Sequence, residues 1–277
     1  MKDVIGQDYA KHKIATAIYK HFIVCNCPSE NLPQTNIFLC GNSGCGKTYM
    51  ACKATEAIGF NIVLVNCSIL TQQGYRGLNI NQALYNSWKS CTSDKKDEFG
   101  KSIIILDEFD KIVDNLKRDP LGTPIFDLLP LLDGKYKLDL SEFKEQGYVD
   151  MSKCMIILTG ACYGVKQCKE RKHNAIGFGK ANNYSADNNI FDTELLTEED
   201  LLDYGYPTEI MGRISQIINI NPLNQSDIKE IITNSYDSPF NQYKRFFELH
   251  DINLKITDTA ENETAKMVIH KNTGPER

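Results

Sequence analysis

One stretch constrains this chain more than any other. Gly41-Asn42-Ser43-Gly44-Cys45-Gly46-Lys47-Thr48 fits the spacing G-x-x-x-x-G-K-[ST]. It follows a short apolar run, Ile37 to Cys40, and opens a helical stretch from Lys47 to about Ile58. Glycines at these positions let backbone N–H groups close around phosphate oxygens, and the helix behind them turns its positive end to the same anion. The pattern therefore predicts a nucleotide site for ATP. Lys47 would reach the β- and γ-phosphates and the Thr48 hydroxyl would ligate Mg2+. The binding set is Gly41, Asn42, Ser43, Gly44, Cys45, Gly46, Lys47 and Thr48, with Tyr49 directly behind. A ligand-free glycine turn is the plain alternative, and the strand before and helix after argue against it.

A phosphate site needs an acid at the end of a buried strand. Ile103-Ile104-Ile105-Leu106-Asp107-Glu108 supplies two. Asp107 would hold the magnesium and Glu108 would orient and polarise the attacking water. Thr159 ends the next apolar strand, where a polar reader of the reaction would sit. Arg213, in Ile210-Met211-Gly212-Arg213, is a candidate arginine finger.

The rest of the pattern sets the fold class. Gln7 to Phe22 has helical spacing, Asn61 to Val65 and Met155 to Thr159 read as strands, and Thr123 to Leu132 reads as a helix that Pro130 interrupts near its end. Strands alternating with helices predict an α/β fold, a parallel sheet sandwiched by helices. From Glu194 the pattern becomes helical. Asn221-Pro222-Leu223-Asn224 marks a boundary between a nucleotide-binding part (1–222) and a small helical part (223–277), in which the aromatics Tyr243, Phe246 and Phe247 read as core. Asp94 to Glu98 reads as a solvated loop.

Composition excludes more than it assigns. The 277 residues carry 36 acids against 31 bases, a net charge of -5, which is no nucleic-acid footprint. No apolar run approaches the ~20 residues of a membrane helix. The opening residues form no signal peptide, and ten scattered cysteines without a C-x-x-C fit free thiols in a cytoplasmic or similarly reducing space.

Further motifs join these into a family resemblance that runs from about Asp3 to the last residue. The segments are Val4-Ile5-Gly6-Gln7, Asp107-Glu108-Phe109-Asp110-Lys111, Gly74-Tyr75-Arg76-Gly77, Ala175-Ile176-Gly177-Phe178-Gly179 and Glu209-Ile210-Met211-Gly212-Arg213. Together they resemble the ClpX-type AAA+ ATPases, the unfoldase subunits of the ClpXP protease. The resemblance implies an AAA+ large domain followed by a small helical domain, a hexameric ring, protein substrates and a ClpP-like peptidase partner. It implies no membrane and no nucleic acid. Val4 and Ile5 would border the adenine. Tyr75, flanked by Gly74, Arg76 and Gly77, would grip polypeptide in the pore. Ile176, Gly177 and Phe178 would dock on the peptidase, and Arg213 would act on ATP bound by a neighbouring subunit.

Several features depart from that pattern. Arg76 replaces the family's aliphatic pore residue. The resemblance starts after the family's zinc-binding domain, and no Arg-Lys-His loop is recognisable between Leu132 and Ser152. The segment Asn272-Thr273-Gly274-Pro275-Glu276-Arg277 resembles the start of the sensor-2 motif with Glu276 where the family has arginine, so the small domain is expected to be short. Alternatives to the unfoldase reading are a protease-independent remodeller, a nucleic-acid-motor loader, and a nucleotide-binding regulatory subunit without turnover.

Overall fold

The computed structural model describes residues 4–27, 34–72, 77–120, 123–175 and 195–273, with backbone alone at 170–175 and 270–273. Five strands form the central sheet: β1 (Ile37–Cys40), β2 (Ile62–Asn66), β3 (Ile103–Asp107), β6 (Met155–Gly160) and β7 (Gln216–Asn219). Their order is β2-β3-β6-β1-β7 and every pairing is parallel. A parallel sheet is covered on both faces, so its central strands are apolar at consecutive positions. Residues alternate between two cores here. Phe38, Ile104, Leu106, Ile156 and Leu158 face one core. Ile37, Leu39, Ile103, Ile105, Met155 and Ile157 face the other.

Helices α1 (Asp8–Asn26) and α2 (Lys47–Glu56) cover the second face, through Ile14, Ile18, Met50 and Ala51. Helices α3 (Ile80–Ser90) and α5 (Phe109–Arg118) cover the first, joined by residues of α8 (Glu198–Tyr204) and α9 (Thr208–Met211). The register sets Leu39 beside Thr159 and Leu106 beside Leu158. Gly41, Asp107 and Thr159 therefore reach the same edge of the sheet, the carboxyl edge at which open α/β sheets bind ligands.

Several expectations need correction. The stretch after Glu194 is not helical throughout, because Gln216–Asn219 is the edge strand β7, paired to β1. Isoleucines at 214, 217 and 218 satisfy helical spacing as well as a short β run, and the free edge of β1 decides. Thr123 to Leu132 is a 3-10 turn (Phe126–Leu128) running into the short α6 (Leu129–Leu132), and Pro130 sits in the first turn of α6, where a missing N–H costs little. Between α6 and β6 lies a small antiparallel hairpin, β4 (Lys137–Asp139) and β5 (Tyr148–Asp150). The charge run at 94–98 is mostly a short helix, α4 (Ser93–Asp97), with no buried residue.

Helix α7 (Tyr163–Ala175) follows β6. After β7 come α10 (Gln225–Asn234), α11 (Pro239–Glu248) and α12 (Asp258–Thr273). The aromatic face of α11 is not a closed core: Tyr243 is 63% exposed and Phe246 54%, while Phe247 is half-buried. No described residue covers it, and helical spacing alone cannot show whether a covering partner exists. All ten cysteines are free thiols, six of them buried. Among the described residues no helix is long and apolar enough to cross a membrane.

Candidate nucleotide site

The phosphate loop turns from β1 into α2, and two of its glycines are required for different reasons, one by space and one by backbone conformation. A Cβ on Gly41 would lie 2.8 Å from the Ile220 carbonyl oxygen and 3.0 Å from Cys45 Sγ. Gly46, which caps α2, has φ +88°, a conformation that glycine adopts without strain. Lys47 begins α2 and is 8% exposed. Its Nζ donates to the carbonyls of Gly41 (2.9 Å) and Asn42 (2.8 Å), so the ammonium lies under the loop it closes. From the other side, Lys166 Nζ on α7 donates to Asn42 Oδ1 at 2.7 Å. Burial pushes the Cys45 thiol up, with Lys47 pulling the other way, so it stays protonated inside the loop.

Asp107 is the junction of the site. Its Oδ1 accepts from Thr48 Oγ1 at 2.9 Å and from the Thr159 hydroxyl. Two hydroxyls and a carboxylate thus share one point at the ends of α2, β6 and β3. Glu108, one residue on, caps α5 with φ 55° and is exposed. A non-glycine residue in the left-handed region is uncommon, and such strain gathers at functional positions.

A cleft of about 310 Å³ joins these groups. The loop contributes Ser43, Gly44, Gly46 and Lys47, α2 contributes Thr48 and Tyr49, and the strand ends contribute Asp107, Glu108 and Thr159. Asp110, Lys111, Gly160 and Ala161 complete the wall. Asp110 and Lys111 belong to the motif Asp107-Glu108-Phe109-Asp110-Lys111, which assigns them no role. Asp110 is buried, and burial raises its carboxyl above the usual range, with Lys111 and the Ala161 amide lowering it in part. An acid in the first turn of a helix behind two others was the available signal. A hard-oxygen set of one hydroxyl and one carboxylate, open to a cleft, suits Mg2+, which keeps several waters and takes few protein ligands.

Residues 37–165 match the family model for the ATPases associated with various cellular activities (AAA). Two curated proteins extend the likeness over the whole chain. Each is named ATP-dependent Clp protease ATP-binding subunit ClpX. The one from Treponema denticola is 27% identical over 98% of this chain and 70% of its own length. The one from Azotobacter vinelandii is 27% identical over 99% of this chain and 68% of its own. These matches support an AAA+ ATPase of the ClpX type.

Other candidates of the ClpX-type pattern fall in different places. Val4 is buried in the core cluster that holds Cys45, Met50 and Ile220, and Ile5 is half-buried beside it. The segment is tied down by Gln7, which exchanges amide hydrogen bonds with the Asn221 backbone (2.7 and 3.1 Å). Arg213 does not line the cleft of its own chain. It pairs with Asp133 instead, Nε to Oδ1 at 2.5 Å and Nη2 to Oδ2 at 3.1 Å. Gly77 is described, with φ +152°, and beside it the Thr71 amide donates to Leu78 O at 2.9 Å. Gly74, Tyr75 and Arg76, the docking triplet Ile176, Gly177 and Phe178, and Glu276 and Arg277 lie outside the described residues.

Proposed function

We propose that this ATPase is a protein unfoldase and translocase that works as a hexameric ring and delivers polypeptide to a ClpP-like peptidase. The observation that carries the proposal is the single cleft in which Lys47, Thr48, Asp107, Glu108 and Thr159 meet. The names of the two relatives, each a protease's ATP-binding subunit, supply the direction of the work.

In this reading the loop amides and Lys47 take the ATP phosphates, and Thr48 and Asp107 hold Mg2+. The metal, when bound, neutralises charge on the transferring phosphoryl group. Glu108 accepts the proton of the attacking water. Thr159, hydrogen-bonded to Asp107, senses a change at that carboxylate and passes it to the end of β6. Val4 and Ile5 border the adenine. Arg213 reaches the cleft of the adjacent subunit, which explains why its own cleft does without it. Residues 1–222 form the nucleotide-binding part and 223–277 the part that shifts against it. Tyr75, with Gly74, Arg76 and Gly77 around it, grips the substrate, and Ile176, Gly177 and Phe178 dock on the peptidase.

The test is the ATPase rate per subunit against protein concentration, followed by degradation of a folded fluorescent protein with the peptidase. A rate that rises with concentration, vanishes in Glu108→Gln and survives in Phe178→Ala while degradation stops is the expected result. A rate at the Glu108→Gln level throughout sinks the unfoldase reading. Unchanged degradation in Phe178→Ala sinks the docking part alone and leaves a protease-independent remodeller.

A further inference from the structure

Helices α10 to α12 pack chiefly on one another, and among the described residues neither large core takes a side chain beyond Ile220. Among the described residues, a polar hold on the nucleotide-binding part passes through one residue. Asp237, in the turn between α10 and α11, accepts from the Tyr49 hydroxyl at 3.0 Å and pairs with Lys53 Nζ at 2.9 Å, both through Oδ2. Tyr49 and Lys53 stand one turn apart on α2, the helix that begins with Lys47, and the Lys53 ammonium also lies over the Tyr49 ring. Tyr49 lines the nucleotide cleft.

The turn that presents Asp237 is stiff. Ser238 is buried, caps α11 by accepting from the Asn241 amide (3.1 Å), and donates to Ile232 O (2.9 Å). Asn241 Nδ2 donates to the carbonyls of Thr233 and Ser235 (2.9 and 2.8 Å). A displacement of Asp237 therefore carries α10 and α11 with it and is not absorbed in a slack loop.

We infer that Asp237 is a positioning residue of the ATP site: through Tyr49 and Lys53 it couples the wall of the nucleotide cleft to the C-terminal helices. The inference rests on the reading above, in which residues 223–277 shift with the nucleotide, and it names the contact that transmits the shift. The hydroxyl bond fixes the Tyr49 ring before nucleotide arrives, and nucleotide lying against that ring biases Asp237 in return, because coupling between two sites is reciprocal.

The experiment uses the full chain and mant-ADP, with Tyr49→Phe, Asp237→Asn and the double variant. Tyr49→Phe removes one oxygen and keeps the ring, and thermal melting reports whether each variant is folded. A half-exposed charged contact of this kind is worth about a threefold change in affinity. Each single variant is expected to weaken mant-ADP binding about threefold, the double variant no further, and Asp237→Glu to restore most of the loss. Hydrogen exchange across residues 225–248 should slow on adding ADP to the wild type and should not respond in either single variant. Wild-type affinity in both single variants, additive losses, or exchange at 225–248 indifferent to ADP in the wild type would each overturn the inference. None of these readouts needs turnover or a peptidase, so they decide the coupling even where the unfoldase assays fail.

Discussion

The sheet edge and the C-terminal helices are built on opposite plans. At the sheet edge the site residues stand on strands whose flanking positions are fully buried: Leu106 before Asp107, Leu158 before Thr159, Leu39 and Cys40 before the phosphate loop. Beyond Pro222, α11 buries no residue, and Tyr243, Phe246, Leu249, Ile252 and Met267 are exposed. The difference separates two jobs. Chemistry on phosphate needs donors and acceptors held within fractions of an ångström, which a close-packed parallel sheet supplies. Under the proposed function the C-terminal helices shift against the sheet, and local hydrogen bonds with few shared apolar contacts let that rearrangement cost little.

Stability should expose the contrast most strongly. Phe38 is fully buried and packs near the rings of Phe109 and Tyr206, at 6.4 and 5.7 Å between centroids. Phe38→Ala is expected to cost about 3–5 kcal/mol in denaturant unfolding. Phe246→Ala, at a similar distance from its own end of the chain, should stay within about 0.5 kcal/mol. A large loss at Phe246 would mean that the exposed face is covered in solution, and the comparison would fail.

The next effect is catalytic. Glu108→Gln keeps the size and the helix-capping backbone of the original and removes the base. Turnover should fall by about 10²-fold or more while nucleotide affinity holds. Steady-state ATPase assays beside mant-ADP titration read both, and a variant that also loses binding would place Glu108 in the cradle instead of the chemistry.

Within the C-terminal helices, capping should outweigh burial. Asn224 and Asp227 form a reciprocal cap at the start of α10. Asn224→Ala is expected to destabilise that helix by about 1 kcal/mol, seen as faster hydrogen exchange at 225–234 with the sheet amides unchanged. Spread of the effect into β1 or β6 would show that the two parts unfold together.

The smallest effect concerns the resting place of Arg213. Its hydrogen bond to Asp133 holds that carboxyl below the usual carboxylate range. A depressed native pKa contributes stability that is complete above the ordinary aspartate pKa and disappears as pH falls through the native one. The pair is near the surface, so Asp133→Asn should cost less than about 1 kcal/mol at pH 7. That difference should shrink as melting is repeated down through the carboxylate range. A pH-independent difference would assign the loss to something other than the ion pair.

Legibility in the sequence followed the same division. β1, β3 and β6 were readable because burial on both faces demands unbroken apolar runs, and the phosphate loop because its geometry demands glycine at set places. Asp107 and Thr159 could be read as strand ends, although their shared oxygen could not. β7 escaped because four residues do not separate helical from β spacing when isoleucine occupies both. The hairpin β4–β5 escaped because three-residue strands have no period. α11 misled for a physical reason: amphipathic spacing reports an apolar face, and whether that face is covered depends on other surfaces. Asp237 left no local trace at all, since its partner Tyr49 lies 188 positions away.

The clasp between Gln7 and Asn221 has a practical side. It makes the two ends of residues 7–221 immediate neighbours, so a protein engineer can treat that stretch as a ring already closed. A few small residues from Asn221 to Gln7 would join it covalently. New termini could then be opened in the β4–β5 turn at Lys144, an exposed residue with φ 63°. Such a permuted form would carry the whole phosphate cleft with α10 to α12 detached, and could be built back one helix at a time.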